Sequence, residues 1–140
     1  MKKAIFATLM MCLMLAAAGT ASAQTSHFHG HWKNVDAQTR GLVELDIKVH
    51  GLDVDVKAWG ACSPTPCDVG KTDAHIYAAG VNGNLETTAK ALLVTYREKF
   101  AVRTLVIEEH GRDEISVAMF THFTDNSGRS PYVEYGIFKR

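Results

Sequence analysis

Three histidines, His27, His29 and His31, alternate near the start of the chain within Gln24-Thr25-Ser26-His27-Phe28-His29-Gly30-His31. In an extended backbone alternate side chains share a side, so the three imidazoles would project together. With the amino group of a chain that begins at Gln24, such a comb suits Cu(II), Zn or Ni. The competing and preferred expectation is a solvated polar arm, because a short arm lacks the neighbours that orient metal-bound imidazoles. Cyclisation of Gln24 would also remove the amine.

Cys62 and Cys67 enclose Ser63-Pro64-Thr65-Pro66, a short loop with two prolines. An even pair in an exported chain implies a disulfide. A redox pair is more often Cys-x-x-Cys at a helix start, and a zinc site would need two further ligands. Trp59 stands just before this loop, where Gly60 suggests a bulged rim; its indole either floors a pocket or, as preferred, packs over the disulfide.

Catalytic constellations are missing from the sequence. His50, His75, His110 and His122 are scattered, no Ser or Cys is paired with them at a motif spacing, and Ser127 and Ser130 sit in a turn-like loop. Neither Gly-x-Ser-x-Gly, His-Glu-x-x-His nor a P-loop occurs. The expectation is a protein that is not an enzyme and carries no cofactor. Asp125-Asn126-Ser127-Gly128 lacks the alternating acids and terminal Glu of a calcium loop and reads as a turn closed by its own side chains. Arg40 and Arg129 could contact an anion at one rim; pairing with Asp36, Asp68 or Asp125 is preferred.

The elements that position these residues begin after a leader. Met1-Lys2-Lys3, an apolar run over Ala4 to Ala18, and Ala21-Ser22-Ala23 follow the signal-peptide pattern with cleavage before Gln24. The expected layout is a signal peptide over 1–23, a His-containing arm over 24–29 and one β domain over 30–140, periplasmic or secreted. Cys12 leaves with the leader. So do Lys2 and Lys3, which reduces the 15 basic residues to 13 against 15 acidic ones. That balance gives no footprint for nucleic acid, and no later run is long enough to span a membrane as a helix.

Within the domain, Val43, Leu45, Ile47 and Val49 alternate with polar residues, and after Gly51 the pattern restarts with Leu52, Val54, Val56 and Ala58. Two period-two runs meeting at a Gly predict a β-hairpin. Further strands are expected near Gly30 to Val35, over Thr72 to Ala78, over Phe100 to Glu108, from Glu114 to Phe123, and over Tyr132 to Lys139. Leu85 to Phe100 fits helical spacing as well as alternation; a strand over Ala91 to Arg97 with a turn at Glu98-Lys99 is preferred. About eight short strands joined by tight turns predict an all-β, antiparallel up-and-down barrel, with a two-sheet sandwich as the alternative.

Three segments, Trp32-Lys33-Asn34-Val35-Asp36 with Thr39-Arg40-Gly41, Ala58-Trp59-Gly60-Ala61-Cys62 through Pro66-Cys67-Asp68-Val69-Gly70, and Thr121-His122-Phe123-Thr124-Asp125-Asn126-Ser127-Gly128-Arg129-Ser130, resemble a group of small secreted bacterial β-barrel proteins of uncharacterised function. The resemblance implies an extracytoplasmic module and no particular activity. Gly30-x-Trp32-x-Asn34 is similar to the first strand of avidin-like and lipocalin-like barrels, which implies architecture alone.

The resulting expectation is a binding module that holds a small ligand in a barrel mouth, with Trp32, Trp59, Tyr96 and Arg129 as its contacts. The alternatives are an inhibitor or adhesion module that docks a secreted macromolecule through the stapled loop, and metal capture by the arm.

Overall fold

A computed structural model describes residues 24–140; the leader expected over 1–23 lies outside the described residues. Eight strands follow in chain order: β1 (Gly30–Asn34), β2 (Leu42–His50), β3 (Asp53–Gly60), β4 (Cys67–Ala78), β5 (Ala89–Arg97), β6 (Ala101–Glu109), β7 (Glu114–Phe123) and β8 (Tyr132–Lys139). Each pairs antiparallel with its sequence neighbour, and β1 with β8 closes the barrel. Closure removes the exposed edges that eight sequential strands would otherwise leave. The ambiguous stretch before Glu98 is strand β5, as its alternation predicts.

Period-two burial shows why these residues form these strands. Leu92, Val94 and Tyr96 on β5, Leu105 and Ile107 on β6, and Ile115, Val117 and Met119 on β7 point inward and are buried. Trp32, Leu45, Ile47, Val56 and Phe138 fill the barrel from the other side. Where the pattern slips, the ladder shifts register. Between Leu42 and Glu44 the pairing is irregular, which buries Leu42 and leaves Val43 only half-buried, against the alternation expected from Val43 onward. Leu52 lies exposed in the turn before β3. Gly70, at φ 133°, lies against the Tyr96 ring, where a Cβ would come within 3.3 Å of the ring carbon Cδ1.

Strand β4 is five residues longer at its start than expected and begins at Cys67, which is disulfide-bonded to Cys62. The staple therefore joins the beginning of the β3–β4 loop to the start of β4.

Residues 24–29 do not project as an arm. Gln24–Phe28 is a 3-10 turn docked on the barrel, with Thr25 and Phe28 fully buried. The Thr25 amide donates to Glu86 O at 3.1 Å and its hydroxyl bonds to Leu85 O. The physical reason is Phe28, an aromatic ring that gains more from entering the barrel end than from remaining in solvent.

Candidate functional site

An up-and-down barrel gathers alternate loops at opposite ends. The lower end holds the N-terminal turn, the β2–β3 turn, the loop over residues 79–88, the β6–β7 turn and Arg140. The upper end holds the loops over residues 35–41, 61–66, 98–100 and 124–131.

The lower end is plugged. Trp32 Nε1 donates to Phe28 O at 2.8 Å, and Arg140 lies 4.8 Å from the Trp32 ring centre while its Nη1 donates to His27 O and His29 O. These contacts also account for the three histidines. His27 packs its ring against Phe28 and Trp32. His29 Nδ1 accepts from the Val49 amide at 3.1 Å, and His31 Nε2 lies 3.1 Å from Glu44 Oε2 on the outer wall. The extended comb does not form, because His27 lies in the 3-10 turn and His29 in the link after it, which leaves His31 alone of the three in strand β1. Among the described residues no three His, Cys, Asp or Glu side chains stand together as a metal group.

The upper end is open. A cavity of about 300 Å³ lies there, between the disulfide on one side and Phe100 and Tyr132 on the other, with Leu42 and Met119 among its lining residues. Its polar lining comes from strand positions that face inward. Arg103 on β6 and Glu134 on β8 take the inward parity of Leu105 and Phe138, and Arg40 joins them from the β1–β2 loop. Arg103 Nε lies 3.0 Å from Glu98 Oε2, with the two side chains 19% and 22% exposed. The pair is close but not aligned as a hydrogen bond, and among the described residues neither atom has another hydrogen-bond partner. The Glu134 carboxylate rests on the Gly41 backbone, where a Cβ would come within 2.8 Å of Oε1, so glycine at 41 keeps the acid in the mouth. Among the described residues Glu134 has no cation within ion-pair distance. Thr121, opposite Arg103 in the β6–β7 ladder, is buried, and its hydroxyl meets no hydrogen-bond partner among the described residues.

None of the four expected ligand contacts lines this mouth. Trp32 belongs to the plugged end. Tyr96 is buried below the mouth, its hydroxyl donating to Val56 O at 2.8 Å. Burial, with a smaller contribution from the Asp68 charge, pushes that hydroxyl well above the ordinary tyrosine value. Trp59 lies on the outer wall instead of over the disulfide, edge-on to His31 and with Lys57 Nζ 5.0 Å from its ring centre, because it takes the outward parity next to the inward Val56 and Ala58 of β3. Arg129 folds onto its own loop, bonded to Asp125 and Ser127 and stacked 3.9 Å over Phe123. The Ser127 side-chain hydrogen bond does most to hold the Asp125 carboxyl below its ordinary value; desolvation opposes it, and the Ser127 amide and Arg129 lower it further. Of the residues considered from sequence, Arg40 does reach the mouth. Arg103 and Glu134 were readable as charges at inward positions of otherwise apolar faces, a signal the aromatic residues overshadowed.

No protein-family model, curated protein or solved structure matches the chain. The geometry of the mouth therefore carries the functional reading.

Proposed function

We propose that the protein is an exported, non-enzymatic binding module that holds a small polar ligand in the open mouth of its barrel. The observation that carries this reading is the Arg103–Glu98 pair beside Glu134. Arg103 Nε and Glu98 Oε2 form a mostly buried ion pair at 3.0 Å whose geometry leaves both atoms short of an aligned hydrogen bond beside a concave space, where buried polar atoms normally have one. Concave sites with an apolar wall and a few convergent polar groups are the usual form of a small-molecule site. Export is supported by the leader pattern over residues 1–23 and by the Cys62–Cys67 disulfide. The non-enzymatic part rests on the sequence, which offers no nucleophile and base at a recognised spacing.

A second reading is favoured by one feature of the rim. Residues 61–68, which span the stapled loop, are all exposed beside the mouth, and a loop closed by a disulfide loses little freedom on docking. In that reading the loop presents itself to a secreted macromolecule.

The test is native mass spectrometry of protein purified from its own host, with Arg103→Ala and Glu134→Gln beside the wild type. A retained small-molecule adduct that both substitutions release is the expected result. An adduct-free wild type that is also not stabilised by any member of a polar metabolite panel would sink the mouth as a ligand site.

A further inference from the structure

The outer wall of the barrel is divided. On β1 to β4 it carries ion pairs: His31 with Glu44, Lys57 with Asp68 at 3.2 Å, and Lys71 with Asp55 at 2.9 Å. On β6, β7 and β8 the outward positions change character. Thr104 and Val106 face outward on β6, Ala118 and Phe120 on β7, and Val133 and Tyr135 on β8. The ladders place them side by side, Thr104 opposite Phe120 and Phe120 opposite Val133, then Val106 opposite Ala118 and Ala118 opposite Tyr135. Leu93 extends the face onto β5 beside Val106. Phe120 is 48% exposed and Tyr135 77%.

We propose that this face is a self-association surface on which a second copy of the chain packs sheet against sheet about a two-fold axis. Three observations select a second copy. First, the centre of the face holds no charged side chain, so pairing it with itself opposes no like charges and desolvates none. Second, the face has relief of both signs. Tyr135 and Phe120 project, while hollows of about 340 Å³ beside Val102, Thr104 and Val133 and about 400 Å³ beside Val35, Ser116 and Ile137, the second edged by Asp36 and Glu108 at the rim, flank them. A two-fold interface needs one patch that carries both the projection and its receptor. Third, the rim is complementary under that symmetry. Exposed Arg97 lies at the upper end of β5 and exposed Glu108 at the lower end of the adjoining β6. An axis running across the strands brings the upper end of one face against the lower end of the other, so Arg97 meets Glu108.

The size of the face sets the strength. Four strands about 4.8 Å apart, each with three outward positions about 6.7 Å apart, span roughly 400 Å² in projection before side-chain relief is added. That is near the largest apolar patch a monomer usually exposes, and near the roughly 500 Å² per partner of a small specific interface. A dimer of micromolar dissociation constant is expected.

Sedimentation equilibrium of the purified protein from about 1 µM to about 1 mM tests this range. The expected result is a monomer–dimer equilibrium that Phe120→Lys with Tyr135→Lys, which sets like charges against each other across the axis, weakens at least about 30-fold, as loss of a central anchor does. Lys48→Glu, on the charged half, leaves the equilibrium unchanged, and far-UV circular dichroism and the melting temperature report that each variant folds. Arg97→Glu weakens association and Arg97→Glu with Glu108→Arg restores it. A wild type that stays monomeric throughout overturns the proposal, as does a dimer that survives the folded Phe120/Tyr135 variant. So does a monomer that instead binds neutral phosphatidylcholine vesicles through this face, which would assign it to a lipid surface. The proposal is independent of the mouth, and ligand binding there can fail without affecting it.

Discussion

Tyr96 illustrates what a single inward position does. Its ring lies over Gly70 of the intervening β4 and its hydroxyl donates to the Val56 carbonyl of β3, so it is a packed strut. Tyr96→Phe keeps the ring and removes the hydrogen bond, and should cost about 1 kcal/mol in urea unfolding. It should also change the response to alkali. In the unfolded chain the hydroxyl ionises near pH 10, a typical model value, whereas burial holds it higher in the folded protein. Below the unfolded value both states keep the proton and the contribution is intact. As the pH climbs beyond it the unfolded state releases its proton first, so stability is lost upward from there. The stability difference between wild type and Tyr96→Phe, measured from pH 8 to pH 11.5, should therefore shrink with rising pH; a constant difference would contradict the assignment. Alternation in the sequence was enough to place Tyr96 and Trp32 on inward faces. It could not separate a pocket floor from a filled core, because that depends on what each side chain meets once the barrel closes: the Val56 carbonyl for one, Phe28 and Arg140 for the other.

The N-terminal turn is the element that tertiary contacts change most. Read locally, Gln24 to His29 is polar and short, and nothing in it propagates a strand or a helix. Phe28 converts it into a plug, and the Thr25 and His29 bonds to Glu86 and Val49 fix its seat. A solvated arm would tolerate Phe28→Ala without effect. The plug predicts a loss of about 3–4 kcal/mol, the range for emptying a buried aromatic site. Differential scanning calorimetry distinguishes the two outcomes, and an unchanged melting temperature would remove the plug from the account. The strands behave differently from the turn. β2, β3, β6 and β7 were legible because apolar residues recur at period two over most of each strand, whereas the start of β4 was not, since Cys67 to Lys71 contains no apolar alternation and is drawn into the sheet by its pairing with β3.

For the whole molecule, the barrel is closed by its shortest ladder. β1 and β8 share two paired positions, Lys33 with Lys139 and Asn34 with Phe138, supplemented by the Val35 amide donating to Ile137 O at 2.9 Å. Arg140 reinforces this seam at the lower end through its bonds to His27 O and His29 O. Local opening should begin where fewest hydrogen bonds hold two elements together. Native-state hydrogen exchange is thus expected to show the amides shared by β1 and β8 opening well before those shared by β6 and β7, and Arg140→Ala should widen the gap. Uniform protection around the barrel would refute the seam. The plugged lower end, the open charged mouth and the divided outer wall also exist only at this scale, since each is assembled from several loops or strands.

The sequence alone determined that this chain makes an antiparallel barrel of about eight strands with a Cys62–Cys67 staple, because period-two patterning, tight Gly-rich turns and cysteine parity act over neighbouring residues. Its tertiary structure decided which end is plugged and that the mouth belongs to Arg40, Arg103 and Glu134, in place of Trp32, Trp59, Tyr96 and Arg129. The physical reason is that a strand's pattern states which side chains face inward, while the depth at which they lie and what they meet there are set by barrel closure and by loops remote in sequence.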